Sequence, residues 1–358
     1  MGCGKMCSDQ GSGSARAGRS YRPGRWGVDL GSKLRQQPSA RFSAAQFREM
    51  ISLRKSPQPK QIREAAGPQP RFWQLVDRVQ SLLYWNGWPA RLTERLGFVP
   101  TVRTVQHHVR LSGDATSAPS LTVAFASDFH AGCTTDPKVL RLACEVLELA
   151  KPDVLLLGGD FVSLDARHID WLAPLLGRIP APLGRFAVLG NHDHWNGAAR
   201  VMRGLETAGI EVLTNRNRRL PPPFQHIWIC GLDDFLSGEP DAHAALAGAD
   251  GARIVLMHAP ANLLDLDGER FDLALCGHTH GGQIALTGGI PLHVAIGPLS
   301  RAYNRGRFRM DHGGTLLVSV GLGCSTLPIR LNSEPEIILC RIAPACETSS
   351  HDTGDHTG

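Results

Sequence analysis

Five short apolar runs in this chain each end on residue types that bind metals. They are Ala-Phe-Ala-Ser-Asp128-Phe-His130, Val-Leu-Leu-Leu-Gly-Gly-Asp160-Phe, Ala-Val-Leu-Gly-Asn191-His192-Asp193, Ile-Val-Leu-Met-His258 and Ala-Leu-Cys-Gly-His278-Thr-His280. Each run is too short to span a membrane. Such a run, stopping on a polar residue or glycine, is how a buried strand ends when the C-terminal edge of its sheet carries a site. The chain is therefore read as organised around one such edge.

From Leu121 to about Ile342 the pattern is strand, site residue, helix. Helices are expected over Pro137–Ala150, Ile169–Leu176 and Ala198–Ala208, with Asp136 and Asn196 as N-caps for the first and third and Gly209 as the C-terminal stop of the third. Beyond Arg218 the strands crowd together with fewer helices between them, over Ile227–Cys230, Arg253–Met257, Leu273–Cys276, Thr315–Val320 and Glu336–Ile342. That half is expected to be mixed or antiparallel. The fold class is α/β, a two-sheet mixed β-sandwich flanked by helices.

Asp128 and His130 lie two apart in an extended segment, so their side chains project the same way, and His278 and His280 repeat the arrangement. With Asp160, Asn191 and His258 the chain offers seven nitrogen and oxygen ligands, too many for one ion and suited to two that share a carboxylate. Imidazole with carboxylate suits Mn, Fe, Zn or Ni, and the lack of thiolate speaks against structural zinc. Two ions about 3.5–4 Å apart stabilise the attacking and leaving oxygens of an in-line displacement and activate water near neutral pH. His192 is free to serve as general acid, with Asp193 fixing its tautomer. His194, Asp233 and Asp234 are weighed as rim residues against plain loop and turn positions. Arg301 and Arg330 are weighed as phosphate contacts against purely structural arginines.

Together these five blocks resemble the motif set of the calcineurin-like metallophosphoesterases. The resemblance implies a β-sandwich with a dinuclear centre. Asp128, His130, Asp160 and His280 would hold one ion; Asp160, Asn191, His258 and His278 would hold the other. A hydroxide between the ions would be the nucleophile, with His192 as acid. The run Gly281-Gly282-Gln283-Ile284, with Pro291, Tyr303-x-x-Gly306, Ser319-x-Gly321-Leu-Gly323 and Pro328-Ile-Arg330, is similar to the YaeI/YkuE-like branch. That likeness implies a phosphodiesterase acting on a small-molecule or lipid-linked phosphodiester or pyrophosphate, with Mn favoured in vitro. The alternatives are a phosphomonoesterase, including a protein phosphatase, or a non-catalytic scaffold that keeps the fold. Phe129 stands where Leu is more usual in the first motif.

Outside 121–342 the sequence changes character. Residues 1–68 are rich in Gly, Ser, Arg, Pro and Gln and are expected to form a disordered basic leader. Residues 1–100 carry 17 Lys/Arg against 6 Asp/Glu, and the rest carries 21 against 27. The basic arm is either a solvated leader or a contact for an acidic surface; no base-stacking or groove-reading motif favours nucleic acid. Residues 69–120 are read as an amphipathic Trp-rich helical segment and linker. Within 71–89, Phe72, Leu75, Val76, Val79, Leu82 and Leu83 fall at helical spacing beside four aromatic residues. This segment either packs on the domain or a partner, or lies peripherally at a membrane interface. The tail 343–358 is expected to be disordered. Nine cysteines without a Cys-x-x-Cys pair suggest a reducing compartment. The expected location is the cytoplasm, with peripheral contact at the inner membrane face as the further reading.

Overall fold

In the computed structural model the described residues are 71–89, 92, 101–111, 119–287 and 290–342. The leader 1–68 and the tail 343–358 lie outside them.

Helix α1 (Arg71–Leu83) is followed by strands β1 (Arg103–Val109) and β2 (Leu121–Ala126), then α2 (Pro137–Ala150), β3 (Val154–Leu157), α3 (Ile169–Gly177), β4 (Arg185–Ala187) and α4 (Asn191–Thr207). The second half runs β5 (Glu211–Val212), β6 (Arg216–Arg219), β7 (Ile227–Gly231), α5 (Ala242–Leu246), β8 (Ala252–Leu256), α6 (Leu263–Leu266), β9 (Leu273–Cys276), β10 (Gly306–Arg309), β11 (Thr315–Val318) and β12 (Glu336–Ile342). One sheet has the order β1-β12-β2-β3-β4-β5 and the other β10-β11-β9-β8-β7-β6. In the second sheet β7, β8, β9 and β11 are parallel, and antiparallel pairing is confined to the edges β6 and β10. The mixed sandwich expected from the spacing is the fold observed.

The strands read as unbroken apolar runs because both faces of each sheet are covered. Val123, Phe125, Val154 and Leu156 meet Ile229, Ile254, Leu256, Leu275 and Leu317 between the sheets. The other face of the first sheet, with Ala124, Leu155 and Leu157, packs against α2, α3 and α4 through Leu140, Leu147, Leu172, Leu176, Val201 and Leu205. The second sheet buries Val255, Ala274 and Val318 against Leu246, Leu263 and Leu266 of α5 and α6.

Two boundaries depart from the sequence reading. Strand β1, placed in the linker segment 69–120, pairs in parallel with β12 and belongs to the first sheet. Helix α4 starts at Asn191, seven residues before the expected Ala198, and is broken at Gly197 (φ 127°). Asn196 therefore lies within the helix; its amide donates to the carbonyls of Ser163 and His192. Asp136 does cap α2, accepting from the Lys138 amide, and Gly209 (φ 76°) follows α4.

Candidate metal centre

The C-terminal ends of β2, β3, β4, β8 and β9 meet at one edge of the sandwich, and the chain turns sharply there. Asp128 (φ 53°), His130 (43°), Asp160 (53°), His278 (69°) and His280 (53°) all have left-handed backbones. Each costs of order 1 kcal/mol or more for a non-glycine residue, and such outliers gather at functional sites. The turn redirects each side chain from the strand's face into the space between the sheets. Glycine clears that space. A Cβ on Gly277 would collide with the Asp128 carboxylate, and one on Gly190 with Asp160 Oδ1.

All seven predicted ligands come together, buried. His130 Nε2 lies 3.0 Å from His280 Nε2, and Asp128 Oδ1 lies 3.6 Å from His280 Nε2. Asp160 Oδ2 is 3.4 Å from His130 Nε2 and 3.4 Å from His258 Nε2. His258 Nε2 also faces Asn191 Oδ1 at 3.1 Å and His278 Nδ1 at 3.2 Å. Asp128, His130 and His280 form one group able to hold an ion, and Asp160, His258 and His278 another, with ligand atoms within 4.8 Å of one another in each.

The donor set fits cations. His258 Nδ1 donates to Gly158 O at 2.8 Å, and His278 Nε2 donates to Ile296 O at 2.9 Å. With their outer nitrogens so committed, the neutral rings turn lone pairs toward each other and toward Asn191 Oδ1 and Asp160 Oδ2. That nest of acceptors is stable only around a positive charge. Burial works against a charged His258, but the Asp160 carboxylate beside it outweighs burial and pushes its pKa well above the usual range. Burial, then His258, lowers His278 to about 4. Burial first, with neighbouring positive groups, holds His130 and His280 well below the ordinary imidazole value, leaving both neutral. Burial also raises Asp128 to about 6. It opposes ionisation of Asp160 too, yet His258, His192 and His130 keep that carboxyl well below its normal range.

His192 stands at the rim, half-buried, its ring edge-on to His130 with centroids 4.7 Å apart. Its Nδ1 lies 3.0 Å from the Ser163 carbonyl. The expected partner, Asp193, is elsewhere: it accepts from the amides of Phe161, Val162 and Gly190 at 2.9, 3.2 and 3.0 Å. Helix α4 turns Asp193 back onto its own N-terminus, so it pins the β3 and β4 loops together and does not orient His192. The backbone of Ser163 performs that task.

The sequence reading missed other contacts. His194 Nε2 meets Asp233 Oδ1 at 2.9 Å, linking the two sheets at the rim. Arg330 donates to the carbonyls of Val320, Gly323 and Ser333 and lies 3.0 Å from His280 Nδ1, so its guanidinium is committed within the fold. The Ser127 hydroxyl donates to Asp128 Oδ2 at 2.6 Å. His194 and Asp233 are weighed as rim residues and Arg330 for its forked donors, but not their partners; a backbone carbonyl leaves no signature in sequence. The six described cysteines are free thiols.

The sandwich carries two adjoining acceptor nests at its strand ends, each able to hold a metal ion. The calcineurin-like phosphoesterase family profile matches residues 121–282. Over 243 residues the chain is 30% identical to the uncharacterized metallophosphoesterase YkuE of Bacillus subtilis, covering 66% of this chain and 84% of that one. It is 32% identical over 250 residues to the phosphodiesterase YaeI of Escherichia coli, covering 66% and 87%. An uncharacterized metallophosphoesterase of Aquifex aeolicus is 30% identical over 224 residues, covering 61% and 83%. The chain belongs to the calcineurin-like metallophosphoesterase family, whose members are metal-dependent phosphohydrolases. Among the described residues no helix is long and apolar enough to cross a membrane.

Proposed function

We propose that this chain is a phosphodiesterase that cleaves a phosphodiester or pyrophosphate bond at a centre for two divalent ions. Asp128, His130, Asp160 and His280 surround one position, and Asp160, Asn191, His258 and His278 the other. The observation that carries this reading is the place of Asp160 Oδ2, 3.4 Å from a ring nitrogen of each nest. A carboxylate shared in this way joins two sites. The imidazole and carboxylate donors suit Mn, Fe, Zn or Ni, with Mn chosen for assay. The likeness to a relative named as a phosphodiesterase supports a diester over a monoester.

Two bound ions would neutralise phosphoryl charge and make water nucleophilic near neutral pH. The protein supplies the rest. With Nδ1–H committed to Ser163 O, a second proton on the other nitrogen, giving the imidazolium, is the one His192 would pass to the leaving oxygen, returning to the neutral Nδ1–H ring. Asn196 ties both the Ser163 and His192 carbonyls, holding the acid to the β3 loop. The His192 backbone amide donates to Asp160 Oδ1 at 2.9 Å, which orients the shared carboxylate with its other oxygen inward. The test is hydrolysis of bis-p-nitrophenyl phosphate and of p-nitrophenyl phosphate by metal-stripped protein, before and after adding Mn²⁺. Metal-dependent turnover favouring the diester is expected. Turnover of neither ester with two ions bound would contradict the proposal.

A further inference from the structure

Leu75, Val79, Leu82 and Leu83 of α1 face outward, the wrong way for a helix that packs on its own domain. Gln80 is buried and donates to Thr326 O at 3.2 Å. Leu75, Val79 and Leu82, at the spacing of one helical face, are exposed, Leu82 at 78%, and Trp85 beyond them at 73%. The helix thus docks through a polar side chain and leaves its apolar stripe outside.

The loop it docks on continues that stripe toward the metal centre. Leu327, Ile329 and Leu331 are exposed on 325–331, and Leu286, Ile290, Leu292 and Ile296 on 284–296. These segments are joined. Ile284 bridges Leu331, the Gln283 amide donates to the carbonyls of Leu327 and Ile329, and the Leu292 amide donates to Ile284 O. At its inner end Ile296 O accepts from His278. Exposed apolar residues therefore gather on α1 and on joined loops that reach the rim of the metal centre, more than single scattered residues would explain.

Its charge pattern identifies what covers it. Residues 281–300 and 319–329 contain no Asp, Glu, Lys or Arg. The flanking charges are cationic: Arg301, Arg305, Arg307 and Arg309 occur with no acid between them. Residues 1–100 add 17 Lys/Arg against 6 Asp/Glu. Exposed aliphatic and Trp side chains bordered by arginine match the acyl–headgroup boundary of an anionic bilayer.

From this we infer that the surface formed by α1 and the loops 284–296 and 325–331 docks on a membrane leaflet carrying anionic lipid, bringing the rim of the metal centre to headgroup level. The inference does not depend on the diesterase reading. The test is flotation of the full-length chain with vesicles of phosphatidylcholine mixed with phosphatidylglycerol, and with phosphatidylcholine alone. The wild type is expected to float with the mixed vesicles, less so at high salt. The paired exposed changes Leu292→Glu and Ile329→Glu should cut bound protein about tenfold, and Leu82→Glu with Trp85→Glu should do the same. Hydrolysis of bis-p-nitrophenyl phosphate by each pair should stay at the wild-type rate. No flotation of the wild type, or equal flotation of wild type and both variants, would overturn the inference. So would a wild-type dimer, seen by light scattering, that these changes convert to monomer, since a second copy would then cover the surface. Vesicle binding without diester turnover would leave this inference standing and remove the proposed reaction instead.

Discussion

His192 donates its Nδ1 proton to the carbonyl oxygen of Ser163 across 3.0 Å. A carbonyl only accepts, so the contact requires a proton on Nδ1 and leaves the other ring nitrogen uncommitted by this bond. His192 is held by the loop after β3, the same loop that carries Asp160.

His192→Ala should slow hydrolysis of an alkyl diester by about 100-fold or more, the usual contribution of a general acid. The loss should be smaller for a p-nitrophenyl diester, whose leaving group needs little protonation. Metal content should be unchanged. Rates across a leaving-group series, with metal analysis, check this. Equal losses for good and poor leaving groups would remove His192 from the acid's role.

Arg330 joins three carbonyls to His280, so its loss should be felt in both stability and metal binding. In Arg330→Met the carbonyls of Val320, Gly323 and Ser333 lose their donor, at about 1–3 kcal/mol for each one left buried and unpaired. Arg330 can only donate, so at His280 it takes the Nδ1 lone pair; without it that nitrogen can carry the ring proton and Nε2 is free to bind a metal, so Mn²⁺ affinity should rise. Denaturation of the metal-stripped variant and titration with Mn²⁺ separate the two effects. Wild-type affinity would show that Arg330 serves the fold alone.

His194 and Asp233 form an ion pair whose contribution depends on pH. Burial disfavours charge on His194, yet Asp233 at 2.9 Å outweighs it and raises the imidazole pKa. Burial likewise opposes ionisation of Asp233, and the bond from His194 with backbone amides lowers its pKa below the ordinary value. A raised histidine stabilises below its unfolded pKa and loses that contribution as pH rises through the folded one. A depressed aspartate stabilises above its unfolded pKa and loses that contribution as pH falls through the folded one. The pair is thus complete between roughly pH 4 and 6.5. There Asp233→Asn should cost about 1–3 kcal/mol, diminishing at higher pH. Denaturation of metal-stripped protein from within this range to well above it is the measurement, and a gap that does not shrink as pH rises past the window would exclude the ion pair.

The strands at the site were legible because both of their faces are buried, which leaves apolar runs too long to be chance and too short to be helices. Their polar ends stood out for the same reason. Strand β1 was not legible: Arg-Thr-Val-Gln-His-His-Val is an edge strand with exposed polar residues, and only its pairing with β12 defines it. The start of α4 was hidden because Asn191-His-Asp-His-Trp-Asn-Gly reads as a loop, and a helix turn there needs Asp193 to collect three amides from two loops. That same use of Asp193 is why its assignment to His192 did not hold. The His194–Asp233 and Arg330–His280 contacts join residues 39 and 50 apart, and nothing local announces them.

The most direct test of a centre for two ions is Asp160→Asn, with bound metal measured alongside diester turnover. Its carboxylate oxygen stands between the two nests, so the weaker ligand should lower metal content at both positions and abolish hydrolysis. A variant that kept two ions and the wild-type rate would contradict the account.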